Sequence, residues 1–134
     1  MDDPLDVLRS SERIAVVGAS GTPGKEAHEI PRLMIDLGYE IVPVNPRLTS
    51  LFGRACYPTL AEVPGPIDLV NVFRPAEEAA GVARQAADAK AGALWLQTGI
   101  ASAEAERIAR EAGMRYVEDR CIRVIAGRLR YLGD

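Results

Sequence analysis

Residues 13–25 read RIAVVGASGTPGK: a short apolar run, Arg13–Val17, that breaks into a glycine-rich turn and then leads into a helix-forming stretch. The run is apolar at odd and even positions alike, since Ile14, Ala15, Val16 and Val17 leave no polar face. Such a strand must be buried on both sides. Parallel strands between two layers of helices meet that condition, whereas an antiparallel strand with one wet face alternates. Four further runs repeat the pattern: EIVPV from Glu40, IDLVNVF from Ile67, ALWLQ from Ala93 and RYVE from Arg115, about 22 to 27 residues apart. That spacing has room for one strand, one turn and one helix each.

The intervening segments carry helix signals. PAEEAAGVARQAADAKAG (75–92) opens with Pro75 at the first helical position, holds Glu77 and Glu78 in its first turn and closes with Lys90 ahead of Gly92. SAEAERIAREAG (102–113) offers Ser102 as N-cap and Gly113 as stop. Thr59 and Glu62 have capping-box spacing for one short turn before Pro64 and Pro66. In HEIPRLMIDLG (28–38), Pro31 is expected in the first turn, because deeper in a helix it removes a hydrogen bond. Asp3 precedes Pro4 as the cap of a short lead-in helix. Together these signals predict an α/β chain, one Rossmann-like, doubly wound domain over 1–134 with a mostly parallel five-stranded sheet and helices on both faces.

Composition narrows the function classes. A chain of 134 residues, 48% apolar and 26% charged, needs no staples: folding at this size buries about two thirds of the unfolded surface. Cys56, Cys121 and the single His28 assemble neither a zinc site nor a disulfide framework, and unpaired thiols suit a cytoplasmic location. The start, MDDPLDVLRSSER, is acidic and polar where a signal peptide is basic and then apolar. No apolar run approaches the length of a membrane span. With a net charge of −3 and scattered basic residues, there is no footprint for nucleic acid.

In a doubly wound sheet the ligand lies beyond the carboxyl ends of the strands, so the strand-to-helix turns carry the function. After the first run comes Gly18-Ala19-Ser20-Gly21-Thr22-Pro23-Gly24-Lys25. Glycines at i, i+3 and i+6 let backbone approach a ligand closely, and a following helix N-terminus adds unpaired amides and positive potential, an arrangement suited to pyrophosphate. The spacing departs from G-x-G-x-x-G, with Ser20 and Pro23 in the second and third glycine places, and lacks the Lys-Ser/Thr pair of a Walker loop. The second run ends Val44-Asn45-Pro46-Arg47, where an NAD site usually has a carboxylate for the ribose diol. A guanidinium there suits a ribose bearing phosphate, as in NADP or coenzyme A. Phe73-Arg74-Pro75 and Gln97-Thr98-Gly99-Ile100 end the third and fourth runs at the same edge. Gln97 and Thr98 offer amide and hydroxyl groups that hold a polar ligand rather than transform it.

The series VGAS-x-x-P-x-K (17–25), GYEIVPVNPR (38–47), YPTL (57–60), IDLVNVFRP (67–75), ALWLQTGI (93–100) and EDRC (118–121) closely resembles the stand-alone CoA-binding protein family. These are Rossmann-type domains similar to the N-terminal domain of the succinyl-CoA synthetase α subunit. The resemblance implies CoA or acyl-CoA as a small-molecule ligand. Gly18, Ala19, Ser20, Gly21, Pro23 and Lys25 would hold the pyrophosphate, and Val44, Asn45, Pro46 and Arg47 would border the adenosine end. Phe73, Arg74 and Pro75 would flank the adenine or pantetheine side. Gln97, Thr98 and Gly99 match the synthetase loop Thr-Glu-Gly at the glycine alone.

That synthetase also uses a phosphorylated histidine in a second domain and a nucleotide-binding partner subunit, and these 134 residues contain neither. The resemblance therefore implies binding without catalysis. Two other readings stay open: an NAD(P)-binding oxidoreductase or redox-sensing domain, and a CoA-binding subunit of an acyl-CoA ligase that needs a partner chain. A protein partner or a homo-oligomer is compatible with the sequence. His28 reads as a surface helix residue, although its place after the loop would let it touch phosphate. Cys121 reads as a small apolar side chain, against the alternatives of a thiol nucleophile or a mixed disulfide with CoA. Glu118 and Asp119 point to opposite faces of a strand and form no acid/base pair. Trp95 reads as core.

Overall fold

The structure, a computed structural model, describes residues 1–131. Along the chain run α1 (Pro4–Arg9), β1 (Arg13–Val17), α2 (Glu26–Asp36), β2 (Glu40–Val44), β3 (Ser50–Leu51), β4 (Arg54–Ala55), a 3-10 turn (Leu60–Glu62) and β5 (Leu69–Val72). There follow α3 (Ala76–Asp88), β6 (Ala93–Leu96), α4 (Ala103–Glu111), β7 (Arg115–Val117) and α5 (Ile122–Tyr131). β2, β1, β5, β6 and β7 lie side by side in that order. Every pair is parallel, so the sheet is wholly rather than mostly parallel. Ile14 stands opposite both Ile41 and Leu69, Val70 opposite Leu94, and Leu94 opposite Tyr116.

Burial on both faces follows from the two helix layers. Ala15, Val70, Leu94 and Tyr116 pack with α3, α4 and the 3-10 turn, while Ile14, Leu69, Trp95 and Val117 pack with α1, α2 and α5. Trp95 is core, as expected. Strands are added first toward β2 and then, beyond β1, toward β5, which makes the gap between β1 and β5 the topological switch point, where ligands of doubly wound sheets lie.

Several local expectations are met and several are corrected. Asp3 caps α1 through Leu5 N–H at 2.9 Å, and Ser102 caps α4 through Ala105 N–H at 3.1 Å. Pro75 is the N-cap of α3 rather than its first residue, and α3 ends at Asp88, with Lys90 in the left-handed region at φ 59°. Thr59 Oγ1 donates to Glu62 Oε2 at 3.3 Å, but neither side chain bonds the other residue's backbone N–H, so the expected capping box is not formed. Pro31 lies in the interior of α2, not its first turn. The Ala27 carbonyl, which a residue other than proline at 31 would bond, instead accepts Ser20 N–H at 3.0 Å. The loop repairs the helix.

The passage from β2 to β5 carries no long helix. It holds the β3–β4 hairpin, whose tip places Phe52 and Gly53 at φ 57° and 72°, both left-handed as in a type I′ turn. At the far edge of the sheet, Asp2 N–H donates to Tyr116 O at 2.8 Å and Asp2 Oδ2 accepts from Tyr116 N–H at 2.7 Å. The Tyr116 amide, with Arg110 adding to it, holds the Asp2 carboxyl below its ordinary value against the opposing effect of burial. An exposed strand edge is thereby closed.

Candidate functional site

The glycine-rich loop begins where β1 ends. Gly18 has φ 90° and donates to Val44 O at 3.1 Å; a Cβ there would stand 3.0 Å from Arg74 Cδ. Both the left-handed backbone and the close approach call for glycine. Ala19, fully buried, accepts at its carbonyl from Asn45 Nδ2 at 2.8 Å, and Asn45 Oδ1 accepts from Arg47 N–H at 2.8 Å. One side chain thus closes its own turn and fastens that turn to the loop. Ser20 is clamped to α2 twice: its N–H by Ala27 O, and its carbonyl by His28 Nδ1 at 2.7 Å. A carbonyl only accepts, so Nδ1 carries the hydrogen. The His28 ring leans on Phe52 with centroids 5.0 Å apart.

The loop's backbone donors can be followed one by one. Gly18 and Ser20 N–H are bonded as above, Thr22 N–H reaches Ser20 Oγ at 3.1 Å, Gly24 N–H reaches Glu29 Oε2 at 3.1 Å, and Lys25 N–H reaches Thr22 O at 3.3 Å. The N–H groups of Ala19 and Gly21, and of Glu26 and Ala27 in the first turn of α2, have no partner among the described residues. Unpaired amides at the start of an 11-residue helix, with the positive end of its dipole, make a cradle for an anion. Glu29 lies at the rim, its carboxyl held below the usual range by Gly24 N–H first and then by Arg32.

The cations near this cradle differ in availability. Arg74 lies across Gly18 but is held by Glu78 in a two-pronged pair at 3.1 and 2.8 Å, which lowers the Glu78 carboxyl. Lys25 and Arg47 are exposed and have no ion-pair partner among the described residues. Val44 is buried at the end of β2, Pro46 and Pro23 are exposed on the rim, and Phe73 is half-buried against the α2–α5 core.

Gln97 stands apart from the other expected site residues. It is 3% exposed, and its Oε1 accepts from Asn71 Nδ2 at 3.3 Å and from Ile122 N–H at 3.2 Å, at the start of α5. Thr98 and Gly99 are exposed, and Gly99 N–H is held by Asp119 Oδ1 at 2.7 Å. Glu118 accepts from Tyr116 Oη at 2.7 Å and from Ser102 N–H at 3.4 Å, so both neighbouring carboxylates hold the connection from β6 to α4. Burial, together with Glu118, pushes the Tyr116 hydroxyl well above its ordinary range.

Three contributors went unread in the sequence. Asn71 is a buried polar residue within an apolar strand, and that mismatch was the available signal. Leu48 would meet a Cβ at Gly21 at 3.4 Å, and Phe52 sits on an unrecognised hairpin. Among the described residues no His, Cys, Asp and Glu cluster has the makings of a metal site, and no helix is long and apolar enough to cross a membrane.

The model of the CoA binding domain family matches residues 12–127. The chain belongs to that family. Among its relatives, the uncharacterized protein YneT of Bacillus subtilis is 41% identical over 119 residues, covering 89% of this chain and 88% of that one. A solved structure, a hypothetical protein from Pyrococcus horikoshii OT3, superposes with a TM-score of 0.90 at 32% identity, covering 95% of this chain and 89% of the other. The ADP-forming acetate–CoA ligase I of Archaeoglobus fulgidus is 27% identical over 122 residues, covering 84% of this chain and 18% of the ligase. This CoA-binding domain is thus related to a small part of a much longer ligase, and also to proteins of its own length.

Proposed function

We propose that the protein binds CoA or acyl-CoA across the carboxyl edge of its sheet and performs no catalytic step of its own. The four unpartnered amides of Ala19, Gly21, Glu26 and Ala27 beside the unpaired Lys25 carry this reading, because they offer donors and positive potential where a pyrophosphate would lie. Arg47, on the turn that Asn45 ties to the loop, takes the ribose 3′-phosphate. Phe73 and the strand ends beyond it border the pantetheine arm. The absence of catalysis is argued from the same geometry. His28 spends Nδ1 on a main-chain carbonyl rather than on Ser20 Oγ, so the two do not form a nucleophile–base pair. Unpaired thiols at Cys56 and Cys121 suit a reducing cytoplasm.

Calorimetric titration with CoA, acetyl-CoA, NADP and NAD tests the reading. CoA and acetyl-CoA are expected to bind tighter than NADP, which has no pantetheine arm and carries its phosphate on the ribose 2′ oxygen. They should bind at least about 10-fold tighter than NAD, which lacks the phosphate, since a hydrogen bond to a charged phosphate is worth about 1.5 to 3 kcal/mol. Preference for either dinucleotide overturns the CoA assignment. Steady-state turnover of CoA, acetate and nucleoside triphosphate by the chain alone overturns the absence of catalysis.

A further inference from the structure

We propose that Cys121 is the attachment point for the thiol end of the ligand, so that a CoA disulfide bound at the carboxyl edge of the sheet exchanges with Cys121 to leave CoA joined to the protein. The inference rests on the CoA reading above and concerns the opposite end of the same molecule.

Cys121 is the residue from which α5 starts: it is half-buried, and its carbonyl accepts Ile125 N–H at 3.2 Å. The loop before it is fixed to the end of β6 by Trp95 Nε1 donating to Arg120 O at 2.9 Å. The second observation is Gln97. Its Oε1 on Ile122 N–H brings the whole carboxamide to the start of α5, yet Nε2 has no partner among the described residues. Nor is that nitrogen sealed away, because Arg54 Nε is the only fully enclosed unpartnered side-chain atom among them. A buried amide with its oxygen satisfied and its two donors open is set for an incoming acceptor. The pantetheine arm carries two amide carbonyls.

The reach suffices. Arg120 and Ile122 are both tied to the end of β6, so from the loop after β1 the path to Cys121 crosses β5, two strand spacings or about 10 Å. An extended pantetheine arm, with backbone-like bond geometry, covers about 15 Å. With the pyrophosphate at Ala19 and Gly21, the sulfur arrives at Cys121. Cys56 is the contrasting thiol: buried, with burial pushing its pKa up, and its Sγ turned toward Asn45 O at 3.8 Å.

The step balances without an added oxidant. The Cys121 thiolate attacks one sulfur of the CoA disulfide, the Cys121–CoA sulfur bond forms as the CoA–CoA sulfur bond breaks, and the second CoA leaves as a thiolate that takes up a proton. The proton lost by Cys121 and the one gained by the departing CoA cancel.

The test uses the full reduced chain, exposed to equal concentrations of CoA disulfide or glutathione disulfide and followed by intact mass without reductant. One CoA adduct is expected, mapped to Cys121 and reversed by dithiothreitol. It should form at least about 10-fold faster than the glutathione adduct, because binding raises the local concentration of the disulfide. Excess acetyl-CoA should slow only the CoA reaction, and Q97A should lower the ratio of the CoA rate to the glutathione rate. Equal rates for the two disulfides, or an adduct on Cys56, overturn the attachment. If CoA binds by calorimetry and Cys121 stays unmodified, the attachment falls and the CoA site stands; if CoA neither binds nor reacts preferentially, both fall.

Discussion

Asn45 Nδ2 donates to the Ala19 carbonyl at 2.8 Å, so the turn that presents Arg47 and the loop that presents the unpaired amides are one mechanical unit. Removing the tie should therefore affect binding as well as stability. N45A is expected to lower stability by about 1 to 2 kcal/mol, the worth of its two hydrogen bonds, and to weaken CoA binding by roughly 10-fold. N45D, which sets a carboxylate oxygen against the Ala19 carbonyl, should do worse on both counts. Thermal unfolding and calorimetry read the two effects separately; N45A binding CoA like the wild type would show that the turns are independent.

The glycines at 18 and 21 make different demands. Gly18 is left-handed and pressed by Arg74, so G18A is expected to lose about 1 to 2 kcal/mol of stability. At Gly21 the φ is ordinary and the nearest atom to a Cβ is Leu48 Cδ1 at 3.4 Å. G21V should accordingly keep its Tm within about 3 °C and still bind CoA at least about 10-fold more weakly, because the side chain stands where phosphate must reach the amide. A G21V protein that folds and binds CoA with native affinity would place the pyrophosphate elsewhere.

Arg47 separates a CoA site from a generic anion site. CoA and dephospho-CoA differ by the ribose 3′-phosphate, which a guanidinium grips with charge-assisted hydrogen bonds. Deleting the phosphate or the side chain should each weaken binding by about 5- to 100-fold, and the two losses should not add. R47A is thus expected to bind the two ligands almost equally. Retention of the full preference by R47A would transfer the contact to Lys25, the other unpaired cation beside the loop.

Acid should loosen the β7 edge first. The Asp2 carboxyl lies below its ordinary value of 3.8 when folded, so its contribution is complete above that pH and is lost as pH falls through the depressed folded value. The pair with Arg110 is partly exposed, which limits the effect to about 1 kcal/mol. D2N, lacking the titrating charge, should start lower in Tm at neutral pH and fall less steeply below pH 3.8. Parallel Tm profiles for the two proteins between neutral pH and acid would remove Asp2 from the account.

The strands were legible because burial on both faces leaves a mark in sequence that few other structures share: runs beginning at Arg13, Glu40, Ala93 and Arg115 start where the strands start. The hairpin was not, since two-residue strands have no periodicity and its tip puts Phe52 where Asn, Asp or Gly is usual. Helix α5 went unread although Ile122, Ile125, Ala126 and Leu129 follow the i, i+3, i+4, i+7 spacing, because Cys121 gives no capping signal. Within the site, the loop and the three other turns were placed by glycine spacing and strand ends. What remained hidden is carried by main chain: a residue name does not say whether its amide is already bonded, and only the fold reveals that Ala19 and Gly21 are open while Ser20 and Gly24 are engaged.

A proline inside a helix is ordinarily the first residue a protein engineer would replace. In α2 such a repair would work against the molecule. Giving position 31 an N–H would create a second claimant for the Ala27 carbonyl, and the displaced claimant would be Ser20, at the middle of the glycine loop. The helix would gain regularity and the loop would lose one of its two clamps. Pro31 thus acts by abstention: the hydrogen it lacks reserves an acceptor for a segment eleven residues earlier in the chain, and a gain in thermal stability at that position would come with a slacker site.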